Sequence, residues 1–258
     1  MEKQKEQSKI KWDEERGALT TNKKLLFTLF NPVFNKNEII LDVGCGDGIC
    51  LKDIVCNKVG LDISITNLKK AKEQNPDGLF VLGDAEHLPF KNEVFNKIFI
   101  VQVLHHLPSY KKCFEEIYRV AKAECRLYIE DHNSDGWLLI YPFYKLCDII
   151  SHLKGHFDEG PGVPLEDGVN YLNDIGFNVE NVGSKGTCIK GMWFSVLTSR
   201  IMPYDRDIKL SDKPALFIDS LLRKTLPPKY LMWFKLEASK KVNYCKNRNK
   251  TTIIRMEY

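Results

Sequence analysis

Three glycines at 44, 46 and 48, aspartates at 62 and 84, and adjacent histidines at 105 and 106 are residues whose types and spacing can do chemistry in this chain. The glycines lie in "IILDVGCGDGIC", residues 39 to 50, directly after Ile39, Ile40, Leu41 and Val43, which read as a buried strand. Glycine at those positions lets the chain turn sharply and lets a ligand approach bare backbone. Asp62 closes "KVGLDIS" at the end of the next strand. A carboxylate there can accept hydrogen bonds from both hydroxyls of a ribose whose tail lies on the glycine turn. Glycine turn and Asp62 together select a nucleoside-bearing ligand.

A dinucleotide fits less well. Its fingerprint needs a third glycine where Gly44-Cys45-Gly46-Asp47-Gly48-Ile49 has isoleucine, and Asp47 puts negative charge where a pyrophosphate would meet the helix start. "FVLGDAEHLPF", residues 80 to 90, adds Asp84, able to accept from the exocyclic amine of an adenine, with Ala85 leaving space for the ring edge. "FNKIFIVQVLHHLPS" then carries a strand into His105 and His106, and Asp131 and His132 end the strand after it, on the same rim. A neutral histidine suits a general base at cellular pH, so His105, His106 and His132 are the catalytic candidates. The plainer alternatives are Asp62 as a helix cap, Asp84 as a turn cap and the histidines as loop residues satisfied by backbone. No Ser/His/Asp set or glutamate pair at a hydrolytic spacing is present.

These residues need a scaffold that delivers them to one edge. Strand-like and helix-like segments alternate from residue 39: strands 39 to 43, 58 to 61, 79 to 82, 97 to 103 and 125 to 131, with helices from about 49, at 66 to 75 and at 110 to 121. Near-continuous apolar strands such as "IFIVQVL" mark a parallel sheet covered on both faces, an α/β, doubly wound class whose ligands bind outside the carboxyl ends of the strands. Residues 1 to 38, with "WDEERGALTTNKKLLFTLFNP", form an amphipathic helical cover. The main domain runs from 39 to 211 with an insertion at about 132 to 164, where Trp137, Tyr141, Phe143, Tyr144 and Phe157 can wall an apolar pocket. "IKGMWFSVLTSR" reads as a last strand, and 212 to 258 as a basic C-terminal extension.

The composition, 43% hydrophobic and 28% charged over 258 residues, is that of a folded domain with a sizeable core. No apolar run is long enough to span a membrane, and the polar start "MEKQKEQSKIKWDEERG" is unlike a secretory signal, so a cytoplasmic protein is expected. The eight cysteines show no C-x-x-C pair and no Cys/His cluster, which favours reduced packing thiols and no metal site. Net charge is only +4, yet from Arg223 onward ten Lys/Arg stand against Glu237 and Glu257. That tail is a solvated face or a contact for anionic membrane or phosphate. Its aromatics are expected to pack on the sheet, leaving a solvated basic end.

The four segments, in this order and on these elements, resemble the cofactor-binding motifs of the class I S-adenosylmethionine-dependent methyltransferases, in the ubiquinone/menaquinone-biosynthesis-type branch. The resemblance covers roughly residues 39 to 131 and implies a mostly parallel seven-stranded, Rossmann-like sheet. It implies that S-adenosyl-L-methionine is held by Gly44, Cys45 and Gly46 at the turn, with Asp42 supporting them. It places Asp62 on the ribose, Ile63 against the adenine, Gly83, Asp84 and Ala85 at the adenine amine, and Val101 or Gln102 at the amino group. Trp12 and Arg16 in the cover are looser members of the set. Where the family commonly has aspartate after the phenylalanine that opens the fourth strand, this chain has Asn96. The expected activity is in-line methyl transfer to a small-molecule or lipid-like acceptor. The competing readings are a tRNA or other nucleic-acid methyltransferase, a non-catalytic cofactor-binding subunit, and an NAD-dependent oxidoreductase. The sequence leaves the oligomeric state open.

Overall fold

The computed structural model describes residues 30, 32–52, 54–135, 162–186 and 233–242. They form a seven-stranded sheet: β1 (Ile39–Val43), β2 (Asn57–Asp62), β3 (Leu79–Leu82), β4 (Phe95–Val101), β5 (Ala121–His132), β6 (Phe177–Gly186) and β7 (Trp233–Lys240). Helices α1 (Ile65–Gln74), α2 (Tyr110–Val120) and α3 (Leu165–Ile175) connect them. The order is β3-β2-β1-β4-β5-β7-β6. The first five strands pair in parallel, and β7 runs antiparallel between β5 and β6. Strand order reverses between β1 and β4, so a crevice opens where their carboxyl ends part.

Alternation along the strands builds two cores. Leu41, Val43, Ile98, Ile100, Leu127 and Ile129 point to one face and pack with Cys113, Phe114 and Ile117 of α2 and Leu172 of α3. Ile40, Phe99 and Tyr128, one residue out of step, pack with Leu68 of α1 and with Phe30 on the opposite face. A sheet buried on both sides needs apolar residues at consecutive positions, as "IFIV" supplies. The helix starts are sealed locally: Ser64 accepts from Asn67 N–H at 3.1 Å and Ser109 from Lys112 N–H at 3.4 Å.

Two expectations change. The helix expected from about residue 49 is a short 3₁₀ turn, Ile49–Leu51. The glycine turn takes the first part of the link between β1 and β2, and the buried Lys58 ammonium donates to the Leu51 and Ile54 carbonyls, groups a longer helix would have satisfied internally. The domain also does not stop at 211, because β7 lies within the segment read as a C-terminal extension. Phe234, Leu236 and Ala238 alternate into the core, and Lys240 donates to the Tyr118 and Ala121 carbonyls at 2.8 and 2.7 Å, closing the end of α2. The run "IKGMWFSVLTSR" lies outside the described residues, as do most of the N-terminal cover, residues 136–161 of the insertion and the basic end of the chain. Among the described residues no helix is long and apolar enough to cross a membrane.

Candidate active site

The turn after β1 is built from backbone. Gly44, Gly46 and Gly48 have φ of 68°, 54° and 79°, conformations that side chains resist. Gly44 and Cys45 both donate to the Leu61 carbonyl at 2.7 and 2.9 Å, drawing the turn onto the end of β2. The Gly48 carbonyl is held by the buried Asn75 side chain at 3.0 Å. Asn75 is 27 residues away in the chain and gave no local sequence signal.

Asp62 is buried and ties these pieces together. One carboxylate oxygen accepts from Gly46 N–H at 2.8 Å and the other from Ser64 N–H at 2.9 Å. Ser64, not Asp62, caps α1. Each oxygen can accept a second hydrogen bond, so the carboxylate suits a pair of vicinal hydroxyls. Ile63 beside it is half-buried.

Gly83 N–H donates to the Asp62 carbonyl at 3.0 Å, bringing the end of β3 alongside. Asp84 accepts from Glu86 N–H at 2.9 Å and faces His87 Nδ1 at 3.4 Å, so the turn-capping reading is realised. Ala85 is buried behind it. Glu86, which sequence reasoning missed, is buried and accepts from Ser109 N–H at 2.7 Å, fastening this loop to the start of α2. Asp42 is buried near the carboxyl end of β1, one residue before Val43 and the turn.

At the end of β4, Val101 is buried and Gln102 takes a left-handed backbone, φ 57°, while donating to the Glu130 carbonyl at 2.8 Å. The chain leaves the sheet there and re-enters as the short turn Leu104–His106. Val103 packs directly on the glycine turn, where a Cβ added at Gly44 would lie 2.3 Å from Val103 Cγ2.

The three catalytic candidates come together. The rings of His105 and His132 stack at 4.3 Å with an 18° tilt, and His106 lies 3.8 Å from His105 at 50°. Asp131, fully buried, lies 2.6 Å from His105 Nδ1. The insertion begins here with its ends joined: Val163 N–H donates to the His132 carbonyl at 2.9 Å and Ser134 N–H to the Val163 carbonyl at 3.1 Å. Asn96 accepts from Ile39 N–H at 3.0 Å and Lys122 at 3.2 Å, a structural post well removed from this edge. Trp12 and Arg16 lie outside the described residues, as do the insertion aromatics from Trp137 to Phe157. Among the described residues no group of three or more His, Cys, Asp or Glu could hold a metal.

A doubly wound sheet with one reversed strand inserted between β5 and β6, and with a glycine turn fastened to a carboxylate at the neighbouring strand end, defines the class I methyltransferase fold. Comparison with known proteins agrees, since residues 41–129 match the family model described as "Methyltransferase domain". The chain is 29% identical over 160 residues to the sterol 24-C-methyltransferase of Schizosaccharomyces pombe, covering 54% of this chain and 39% of that one. It is 33% identical over 137 residues to the demethylmenaquinone methyltransferase of Lactiplantibacillus plantarum, covering 46% and 58%. The chain thus spans about half the length of the curated relatives it matches. Among solved structures, a phosphoethanolamine N-methyltransferase of Haemonchus contortus in complex with S-adenosyl-L-methionine superposes with a TM-score of 0.57. It is 18% identical, with 85% of this chain and 52% of that chain covered. Residues 41–129 belong to the class I S-adenosylmethionine-dependent methyltransferases, for which S-adenosyl-L-methionine is the methyl donor.

Proposed function

We propose that this chain is an S-adenosyl-L-methionine-dependent methyltransferase acting on a small-molecule or lipid-like acceptor. The observation that carries the reading is the hydrogen bond between Gly46 N–H and Asp62, which joins a backbone-lined turn to a carboxylate suited to ribose hydroxyls. The residues fit the donor: Gly44 and Gly46 line the turn without side chains, Asp62 retains acceptor capacity, and Ile63 and Ala85 supply apolar surface for a purine. When bound, the donor's sulfonium supplies an already activated methyl group.

Little covalent chemistry is left to the protein, whose work is alignment and exclusion of water. Val103 and the 104–106 turn close one side of the glycine turn, and the joined ends of the insertion stand beside them. An acceptor entering there meets the His105, His106 and His132 rings. A histidine at that rim can take a proton from an acceptor hydroxyl, amine or acidic carbon. The relatives named for sterol, demethylmenaquinone and phosphoethanolamine substrates support a small or lipid-like acceptor over a macromolecular one. Incubating the protein with donor carrying an isotopically labelled methyl in a native-cell extract tests this. A labelled small molecule or lipid in the mass spectrum is expected, and label found only in RNA or protein would overturn the acceptor class.

A further inference from the structure

Asp131 gathers four donors on one buried carboxylate. Oδ2 accepts from Val103 N–H at 2.9 Å and Leu104 N–H at 2.7 Å, while Oδ1 accepts from His132 N–H at 2.7 Å and lies 2.6 Å from His105 Nδ1. Its neighbours of the same parity along β5, Leu127 and Ile129, are core hydrophobes, so packing alone would favour another at 131. Burial, the largest influence, pushes its carboxyl pKa up. The charge and hydrogen bond of His105, then the charge and N–H of His132, outweigh it and hold the carboxyl at about 2. Three backbone N–H groups and the His105 ring nitrogen converge on the carboxylate and favour its ionised form without requiring a charged ring.

Two consequences follow from the geometry. The paired bonds to Val103 and Leu104 press Val103 against Gly44, fixing the loop to the turn assigned to the donor. A carboxylate can only accept, so Nδ1 of His105 must carry a proton, and in the neutral ring the lone pair then sits on Nε2.

We propose that Asp131 is a positioning residue that fixes His105 as the Nδ1–H tautomer, with Nε2 the proton acceptor for a methyl acceptor that loses a hydrogen in the reaction. This rests on the methyltransferase reading and narrows its substrate class to a hydroxyl, an N–H amine or an acidic carbon. Thioethers and tertiary amines, whose methylation leaves a permanent cation, are outside it. In the step itself an Nε2–H bond forms as the acceptor's X–H bond breaks: a hydroxyl or acidic carbon attacks the methyl carbon with the electron pair so released, and an amine attacks with its lone pair and then gives up the proton. The methyl–sulfur bond of a bound donor would break with its electron pair remaining on sulfur, and the imidazolium so formed faces the Asp131 carboxylate until the proton passes to solvent.

The test uses the full chain labelled with 15N at histidine, with S-adenosylhomocysteine as probe. Two-bond imidazole nitrogen–proton spectra, assigned with His105→Gln, report the tautomer near neutral pH. The expected result is a protonated Nδ1 and unprotonated Nε2 at His105, with that signature altered in Asp131→Asn. The wild-type spectrum decides alone if the variant does not fold. A protonated Nε2 with bare Nδ1 in the wild type, or a signature indifferent to Asp131→Asn, would overturn the proposal. Labelled product in which methyl replaces a hydrogen supports the substrate class, and a permanently cationic product overturns it. Failure of the wild type to bind the probe would strike the methyltransferase reading instead, while the tautomer remains separately legible.

Discussion

Replacing Gly44 with alanine tests the contact between the turn and the β4 loop. The new Cβ would lie 2.3 Å from Val103 Cγ2, at a backbone φ of 68°. Holding a side chain in that left-handed region costs roughly 1 to 2 kcal/mol. Carbon atoms settle at about 3.5 to 4.0 Å, so the pair must separate by more than ~1 Å. Val103 cannot simply retreat, because its N–H is bonded to Asp131 at 2.9 Å. Overpacking of this kind costs about 1 to 3 kcal/mol, for a total near 2 to 5 kcal/mol. Val103→Ala removes the clashing methyl and leaves a Cβ–Cβ separation of 3.4 Å, an ordinary contact. Urea unfolding of Gly44→Ala, Val103→Ala and the double variant measures the coupling. The double variant should be more stable than the sum of single effects by about 1 to 3 kcal/mol, with the left-handed strain left over. Additive losses would refute the contact and the placement of the loop on the turn.

Asp62→Ala should weaken binding of S-adenosylhomocysteine by about 1.5 to 3 kcal/mol, one to two decades, in calorimetry, and equal affinities would remove Asp62 from the site. The Asp131 carboxyl is held below its ordinary 3.8 at about 2, so its stabilising effect is complete above the ordinary value and is lost as pH falls through the lowered one. A shift of this size corresponds to about 2 kcal/mol, and urea midpoints between about pH 5 and 2 should fall less steeply for Asp131→Asn than for wild type. Lys240→Met strips the ammonium from the Tyr118 and Ala121 carbonyls and should cost about 1 to 3 kcal/mol in the same unfolding assay, with probe affinity unchanged.

The strand pattern from β1 to β5 was legible because each buried strand carries apolar residues at consecutive positions, and the glycines and Asp62 mark the strand ends directly. What escaped depends on distance in the chain. β7 is a strand with Lys235, Glu237 and Lys240 in it, flanked by basic residues, so its composition reads as a solvated tail until pairing with β5 and β6 is seen. The missing helix after the turn depends on the Lys58 ammonium reaching back to two carbonyls, which no local pattern encodes. In the site, His105, His106, Asp131 and His132 were identifiable as rim residues, but the hydrogen bonds by which Asp131 holds His105 and His132 were not. Asp131 acquires its role only when β4 and β5 lie in register and Val103, Leu104, His105 and His132 converge on it.

The most direct measurement is a calorimetric titration of the full chain with S-adenosyl-L-methionine and S-adenosylhomocysteine, alongside Gly46→Val checked for folding by circular dichroism. Saturable binding of both compounds at one site per chain, lost in the variant, is the predicted result. A folded wild-type protein that binds neither compound, or a Gly46→Val variant that binds both as wild type does, would contradict the assignment of the glycine turn and Asp62 to the methyl donor.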